Sequence, residues 1–187
     1  MNVSDVVRNI LGVSETGHMF RAGLPVCATA VALFSLPALA AKAPRISITS
    51  LSELDVPDRP FNESANANAD VDAAFARARK SGKEVMIDLG GNWCADCRIL
   101  SGLMELPELH AFLAAHYEMA TVDVGRFNRN LQIPARFGIT DRLQGVPAFL
   151  IATPDGKLVN AGHVSAIEDA RHMSPQALAD WLAQWTR

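Results

Sequence analysis

The stretch VMIDLGGNWCADCR, residues 85–98, carries the strongest structural and chemical signal in the sequence. It begins as an apolar run that is typical of a buried strand. It continues into two cysteines, Cys94 and Cys97, with Trp93 directly before the first. Closely spaced cysteines can hold a metal, cross-link a fold or exchange electrons with another protein. The rest of the sequence helps to decide between these uses.

The size and composition of the chain indicate one globular domain. It has 187 residues, of which 49% are hydrophobic, and its formal net charge is −3. A chain of this length can form one well-buried core, with little left for a second. The balanced charge provides no basic field that would attract nucleic acid. We therefore expect a monomeric single-domain protein that binds no nucleic acid.

The N-terminal part of the chain has the composition of a secretory signal. Residues 24–41 are uncharged and apolar, and Ala-Leu-Ala at 38–40 forms a small-x-small cleavage site. Because it contains prolines and many alanines, this run is a weak candidate for a transmembrane helix. An uncleaved membrane anchor is the alternative to a cleaved signal peptide. The sequence predicts a signal peptide over residues 1–40, with Met19 favoured as the working start. We expect the mature protein to be periplasmic or otherwise secreted.

Signal cleavage would leave Cys94 and Cys97 as the two cysteines of the mature chain. A disulfide across so short a loop constrains the unfolded chain little, which argues against a structural cross-link. A structural zinc site needs four ligands, but the sequence has no second Cys-x-x-Cys pair and no zinc-type pairing among its five histidines. Delivery of copper by the two thiols stays an alternative. The two thiols can also exchange electrons with another protein.

The pattern of apolar residues predicts alternating helices and strands after an extended linker over residues 41–67. From Asp70 onward the expected order is helix, strand, helix, strand, helical loop, two strands and a final helix. Strands are predicted at 84–89, 117–124, 146–152 and 158–162. This order predicts an α/β fold over residues 68–187, with a mixed central sheet and helices on both faces.

Several residues mark where helices begin and end. Gly82 is suited to end the first helix, because glycine adopts the left-handed conformation common at helix C-termini. Ser174 followed by Pro175 is a typical start for the last helix. The second helix is expected to begin at or just after Cys94. That thiol would then lie at a helix N-terminus, where a thiolate is favoured.

Taken together, these residues resemble the thioredoxin superfamily. The shared features are Trp-Cys-x-x-Cys at 93–97, Asp88 six positions before the first cysteine, and the pair Val146-Pro147 at the start of a later strand. The spacing is most similar to secreted thioredoxin-like domains, among them the C-terminal periplasmic domain of the thiol-disulfide reductase DsbD. The resemblance implies a thioredoxin-like fold and a protein-disulfide reductase. A secreted disulfide oxidase or isomerase is the alternative.

The resemblance implies a catalytic role for three residues. Cys94 is the attacking nucleophile and is expected to be partly exposed. Cys97 lies one turn deeper and resolves the mixed disulfide by attacking the Cys94 sulfur. Asp88, expected to be buried with a raised pKa, accepts the proton of Cys97 and returns it. No organic cofactor is implied, because the Cys94–Cys97 pair itself carries the electrons.

The resemblance also implies how a partner protein binds. Pro147 matches the family's cis-proline, and Val146 before it would offer its backbone to an extended substrate strand. Trp93 would form an apolar wall for the target peptide, with simple core packing as the alternative. The implied partners are protein substrates that contain disulfides, and a membrane or thioredoxin-like electron donor that recharges the cysteine pair.

The sequence departs from the usual thioredoxin pattern in three places. Gly90 stands where a tryptophan is usual, so one wall of the site is missing or supplied elsewhere. Ala95-Asp96 replaces Gly-Pro between the cysteines, and residues 137–147 form a longer stretch before the cis-proline position. Asp96 is expected to oppose a thiolate at Cys94 and so to make the pair slightly more reducing.

Overall fold

The computed structural model describes residues 40–186. The favoured start at Met19 and residues 24–39 of the apolar run lie outside the described residues. No helix within the described residues is long and apolar enough to cross a membrane.

In the described part of the chain, three strands form a mixed sheet in the order β2–β1–β3. They are β1 (Glu84–Gly90), β2 (Tyr117–Asp123) and β3 (Ala148–Ala152). β1 runs parallel to β2 and antiparallel to β3. Every residue of β1 is buried, which explains why its sequence is largely apolar instead of alternating. The mixed sheet predicted from the sequence is confirmed.

Five α-helices are present within residues 40–186. They are α1 (Ala67–Ser81), α2 (Ala95–Met104), α3 (Pro107–His116), α4 (Gln132–Ala135) and α5 (Pro175–Ala183). α1 ends at Gly82, which has the left-handed φ of 76°. α5 begins after Ser174, whose side chain accepts a hydrogen bond from the Ala177 N–H. Both helix boundaries agree with the capping residues identified in the sequence.

The helices bury two apolar clusters against the sheet. One cluster contains the apolar stripe of α1 together with Val85, Ile87 and Leu89 of β1. The other contains Met86 together with buried residues of α2, α3 and α5. Because side chains alternate along β1, the two clusters lie on opposite faces of the sheet. Helices on both faces are therefore confirmed as well.

The predicted strand over residues 158–162 is reduced to a short pairing with β3. A single bridge joins Leu158 to Ala152, and the Val159 N–H donates to the Ile151 carbonyl (2.8 Å), but no strand is assigned here. Asn160 continues the pairing through its side chain: its Oδ1 accepts from the Ile151 N–H (3.0 Å) and its Nδ2 donates to the Phe149 carbonyl (2.8 Å). An asparagine amide can occupy the hydrogen-bond positions of a neighbouring strand because it carries both a donor and an acceptor.

Residues 40–66, which include nearly all of the predicted extended linker, pack against the domain. The segment contains one 3₁₀ turn, Leu51–Glu53, and most of the rest is irregular. Ile46 and Phe61 are buried in the two apolar clusters. The Ile46 N–H donates to Gln176 Oε1 on α5 (3.0 Å). A proline-rich, polar composition predicted a linker, but the few apolar side chains suffice to anchor the segment.

Candidate active site

Cys94 is the N-cap residue of α2, the helix that follows β1 in the chain. Its sulfur accepts a hydrogen bond from the backbone N–H of Cys97 (3.2 Å). Its thiol also lies 3.3 Å from the carbonyl oxygen of Val146, to which it donates. Helix N-terminal amides and the helix dipole stabilise negative charge. The thiol is therefore placed where its ionised form is favoured.

The environment lowers the pKa of Cys94 from 9.0 to about 7. The hydrogen bond with the Cys97 thiol is the largest cause, burial opposes it, and the Cys97 backbone N–H adds to it. The residue is only 5% exposed, which corrects the expectation of a partly exposed nucleophile. The Val146 carbonyl lies directly beside the sulfur and contributes to this burial.

Cys97 lies in the first turn of α2 and has the opposite properties. It is 1% exposed. Its hydrogen bond with Cys94 raises its pKa most, and burial and the charge of Cys94 raise it further. The pair therefore contains one thiol that ionises near neutral pH and one that stays protonated.

Asp88 is a buried carboxyl group on β1 that lacks a complete set of hydrogen bonds. It is 2% exposed, as its strand pattern predicted, and its Oδ1 has no partner among the described residues. Burial raises its pKa to about 7, and the negative charge of Cys94 contributes. Because it reaches equal protonated and ionised populations near neutral pH, this carboxyl group is suited to accept and return a proton.

The Val146–Pro147 peptide bond is cis, and it lies directly beside Cys94. The contact between the Val146 carbonyl and the Cys94 sulfur shows that residues 52 positions apart meet at the start of α2. The side chain of Val146 is buried.

An open groove lies next to Cys94, and Trp93 forms one of its walls. The indole is 43% exposed, so Trp93 is not packed in the core. Its Nε1–H donates to the Gly125 carbonyl (2.6 Å), and its ring meets Phe127 edge to face at 6.1 Å. Phe127 has a positive φ of 61°, which is rare for a bulky residue and is typical of functional sites. No sequence signal marked Phe127, because its position depends on the loop conformation.

Asp96 forms an ion pair that the sequence did not predict. Both of its carboxylate oxygens accept hydrogen bonds from the Arg171 guanidinium, and Oδ1 also accepts from the Arg171 backbone N–H (2.9 Å). Burial raises the pKa of Asp96, but the side-chain and backbone hydrogen bonds of Arg171 outweigh it, and the pKa is lowered. The negative charge expected beside Cys94 is therefore largely compensated. The two residues lie 75 positions apart, which hid the pair from sequence analysis.

Phe61 supplies a wall at the position where Gly90 leaves space. A Cβ atom placed on Gly90 would lie 2.4 Å from Phe61 Cζ and 3.0 Å from Cys97 Sγ. The phenyl ring thus fills the volume that a side chain at position 90 would need. The wall was expected to be missing or supplied elsewhere, and the N-terminal segment supplies it.

The fold and the buried thiol pair together define a thioredoxin-like redox protein. A family model described as thioredoxin-like matches residues 66–154. A solved structure, the disulphide isomerase from Xylella fastidiosa, is 34% identical with a TM-score of 0.61, and the match covers 66% of this chain and 94% of that one. The chain belongs to the thioredoxin superfamily.

Two curated proteins are also similar to this chain. Thiol:disulfide interchange protein DsbD 1 of Pseudomonas aeruginosa is 36% identical over 91 residues, which is 47% of this chain and 14% of that protein. Thioredoxin of Alicyclobacillus acidocaldarius is 32% identical over 68 residues, which is 36% of this chain and 60% of that protein. The match thus covers less than two thirds of the length of each.

Proposed function

We propose that the protein is a secreted thiol-disulfide oxidoreductase that reduces disulfide bonds in other proteins. The observation that carries this proposal is the contrast between the two thiols: Cys94 at the helix N-cap has a pKa of about 7, while Cys97 behind it has a raised pKa. A nucleophilic thiolate beside a protonated resolving thiol is what a two-step disulfide exchange requires.

The reaction would proceed in two exchanges. The Cys94 thiolate attacks one sulfur of the substrate disulfide, a mixed disulfide forms, and the other substrate sulfur leaves as a thiolate that takes up a proton from solvent. Cys97 then passes its proton to Asp88 and attacks the Cys94 sulfur. The Cys94–Cys97 disulfide forms and the second substrate thiolate leaves. The substrate gains two electrons, and the protein loses two.

The groove is the proposed binding site for the substrate. An extended strand would pair with the backbone of Val146, which brings its disulfide next to Cys94. The exposed face of Trp93 would support the same strand from the other side. Binding in this mode explains how a buried sulfur reacts selectively, because only a segment that fits the groove reaches it.

Secretion and electron supply complete the proposal. The apolar run and the Ala-Leu-Ala site support export, with a mature N-terminus at or near Ala41. N-terminal sequencing of the exported protein tests this, and an intact residue 19–40 segment in the membrane fraction would indicate an anchor instead. Because the periplasm is oxidising, a reductase there needs a donor, either a membrane protein or another thioredoxin-like protein. No organic cofactor takes part in this scheme.

A disulfide isomerase or oxidase is the second candidate function. The ion pair of Asp96 with Arg171 favours it, because compensation of the Asp96 charge removes one cause of a strongly reducing pair. The similar solved structure also carries the name disulphide isomerase. Copper delivery would rest on the two thiols alone, since residues 40–186 contain no group of three or more His, Cys, Asp or Glu arranged to hold a metal.

The test is a comparison of two activities of the full chain. With dithiothreitol as donor, we expect catalysed reduction of insulin disulfides, lost in the Cys94→Ser variant and retained in the Cys27→Ser variant. Reactivation of a ribonuclease with scrambled disulfides should be slow by comparison. Fast reactivation with little insulin reduction would favour the isomerase, and failure of both assays would contradict the proposed function.

A further inference from the structure

Phe61 is a large side chain of residues 40–66 that packs at the redox centre. It is 2% exposed and belongs to the same apolar cluster as Cys94 and Cys97. The point where a Cβ on Gly90 would lie is 2.4 Å from its Cζ, 2.8 Å from its Cε1 and 3.0 Å from Cys97 Sγ. The ring edge and the Cys97 sulfur therefore both border the space beside the Gly90 Cα atom.

Asn92, within the loop that leads to Cys94, holds Phe61 in place. The Phe61 N–H donates to Asn92 Oδ1 (2.9 Å), and Asn92 Nδ2 donates to the Phe61 carbonyl (2.9 Å). A second anchor is the Nε–H of Arg98 on α2, which donates to the carbonyl of Pro57 (3.0 Å). The segment is thus bonded to both sides of the cysteine pair, and the ring position is fixed by directional contacts as well as by apolar burial.

We propose that Phe61 is a positioning residue of the redox centre, which covers the sulfur of Cys97 and keeps water away from it. The ring takes the place that a side chain at position 90 would occupy, and only glycine there leaves room for it. This inference rests on the proposed function, in which Cys97 must stay inactive until the mixed disulfide has formed. Burial is one of the causes that raise the pKa of Cys97, so the shield and the protonation state are linked.

Alkylation of Cys97 by iodoacetamide as a function of pH tests the proposal. The reference is the full chain with Cys27→Ser and Cys94→Ser, in which Cys97 is the remaining thiol. Adding Phe61→Ala should admit water and lower the apparent pKa of Cys97 by about one unit, which is about a tenfold gain in alkylation rate at a given pH. Phe61→Leu, which keeps an apolar side chain of useful size, should restore most of the protection.

Ile46→Ala is the matched control, because Ile46 is buried from the same segment but belongs to the other apolar cluster. It should destabilise the protein without moving the pH profile of alkylation. If Phe61→Ala fails to fold by circular dichroism, Asn92→Ala removes the two hydrogen bonds and leaves every apolar side chain, and it should shift the profile in the same direction. An unchanged profile in a folded Phe61→Ala or Asn92→Ala variant, or an equal shift in Ile46→Ala, would overturn the proposal.

This assay is independent of the reductase activity. A shifted alkylation profile together with no insulin reduction would leave Phe61 as the shield and reject the proposed function. Normal insulin reduction together with an unshifted profile would reject the shield and retain the proposed function.

Discussion

The two sides of the redox centre differ in solvent access and in hydrogen bonding, although their thiols are only three positions apart. The groove side contains Cys94 with Trp93 and the carbonyl of Val146, and it offers hydrogen-bond partners and an approach from solvent. The core side contains Cys97 and the carboxyl of Asp88, whose Oδ1 has no hydrogen-bond partner among the described residues, and both side chains are buried.

This contrast shows that the position of each thiol, and not its residue type, sets its pKa. At the helix N-cap a thiol accepts hydrogen bonds that favour the thiolate, and its pKa falls to about 7. One turn further along, burial and the charge of the first thiol favour the protonated form, and the pKa rises. The start of one helix thus gives the two thiols of a Cys-x-x-Cys pair opposite acidities, which suits the proposed roles of nucleophile and resolving thiol.

The largest effect should come from removing one thiol at a time. Cys97→Ser removes the resolving group, so mixed disulfides between Cys94 and partner proteins should accumulate. Cys94→Ser should trap few, because the remaining thiol is shielded and protonated. Non-reducing electrophoresis of cell extracts with mass spectrometry measures both. Equal trapping by the two variants, or more trapping by Cys94→Ser than by Cys97→Ser, would contradict the proposed roles of the two thiols.

The second effect concerns the free energy of unfolding on the core side. The folded-state pKa of Asp88, about 7, exceeds its ordinary value of 3.8, so the fold disfavours the ionised form. The resulting loss in the free energy of unfolding is absent below about pH 4 and grows up to about pH 7. Above that pH it is complete and amounts to at most about 4 kcal/mol. Asp88→Asn should therefore stabilise the reduced protein at pH 8 and change little at pH 4.

Asp123→Asn provides the matched control for that measurement. Asp123 is also buried, but its carboxylate accepts hydrogen bonds from Arg129 (3.0 Å) and from the Gly125 N–H (3.2 Å). Its replacement should destabilise the protein at pH 8, because paired buried carboxylates contribute stability. Urea denaturation at the two pH values measures both variants. Destabilisation by Asp88→Asn at pH 8 would show that its carboxylate has partners in solution.

A third effect is on the rate of the resolving step. Asp88 can accept the proton of Cys97 only when it is ionised, so the release of a preformed mixed disulfide should quicken as the pH rises through the pKa of this carboxyl group, which burial raises above its ordinary value. Asp88→Asn should slow release and move its pH dependence to higher values. Stopped-flow measurement of a labelled mixed disulfide follows the step. An identical profile in the variant would exclude Asp88 from proton transfer.

The sequence predicted the residues of the redox centre that are close together in the chain, but not those that reach it from distant segments. Cys94, Cys97 and Asp88 lie in one contiguous strand–helix unit, so a local pattern located all three. Arg171 and Phe61 reach the centre from distant segments, and no local pattern records which side chain fills a gap or pairs with a charge. The proline-rich composition around Phe61 even predicted a linker. Burial of Cys94 escaped prediction for the same reason, since it depends on the contact with Val146.

The smallest expected effect is that of the ion pair at the edge of the groove. An uncompensated charge at Asp96, about 7 Å from the thiolate at an effective dielectric of about 40, would lower the reduction potential by about 25 mV. Arg171 compensates that charge in the intact protein. Asp96→Asn, which leaves the Arg171 charge unopposed, should therefore raise the potential by up to this amount, and Arg171→Met, which leaves the Asp96 charge unopposed, should lower it by up to this amount. Arg126→Met, which removes a cation stacked on Trp93 at 5.0 Å, is the control and should change little. Shifts of equal sign in the Asp96 and Arg171 variants would contradict this account.

The reduction potential of the Cys94–Cys97 couple tests the proposed reductase most directly. Equilibration of the full chain with glutathione or dithiothreitol buffers of known ratio, followed by alkylation of free thiols, gives the value. We expect a potential nearer to that of thioredoxin, about −270 mV, than to that of DsbA, about −120 mV. A value near about −120 mV would contradict the reductase and favour the oxidase.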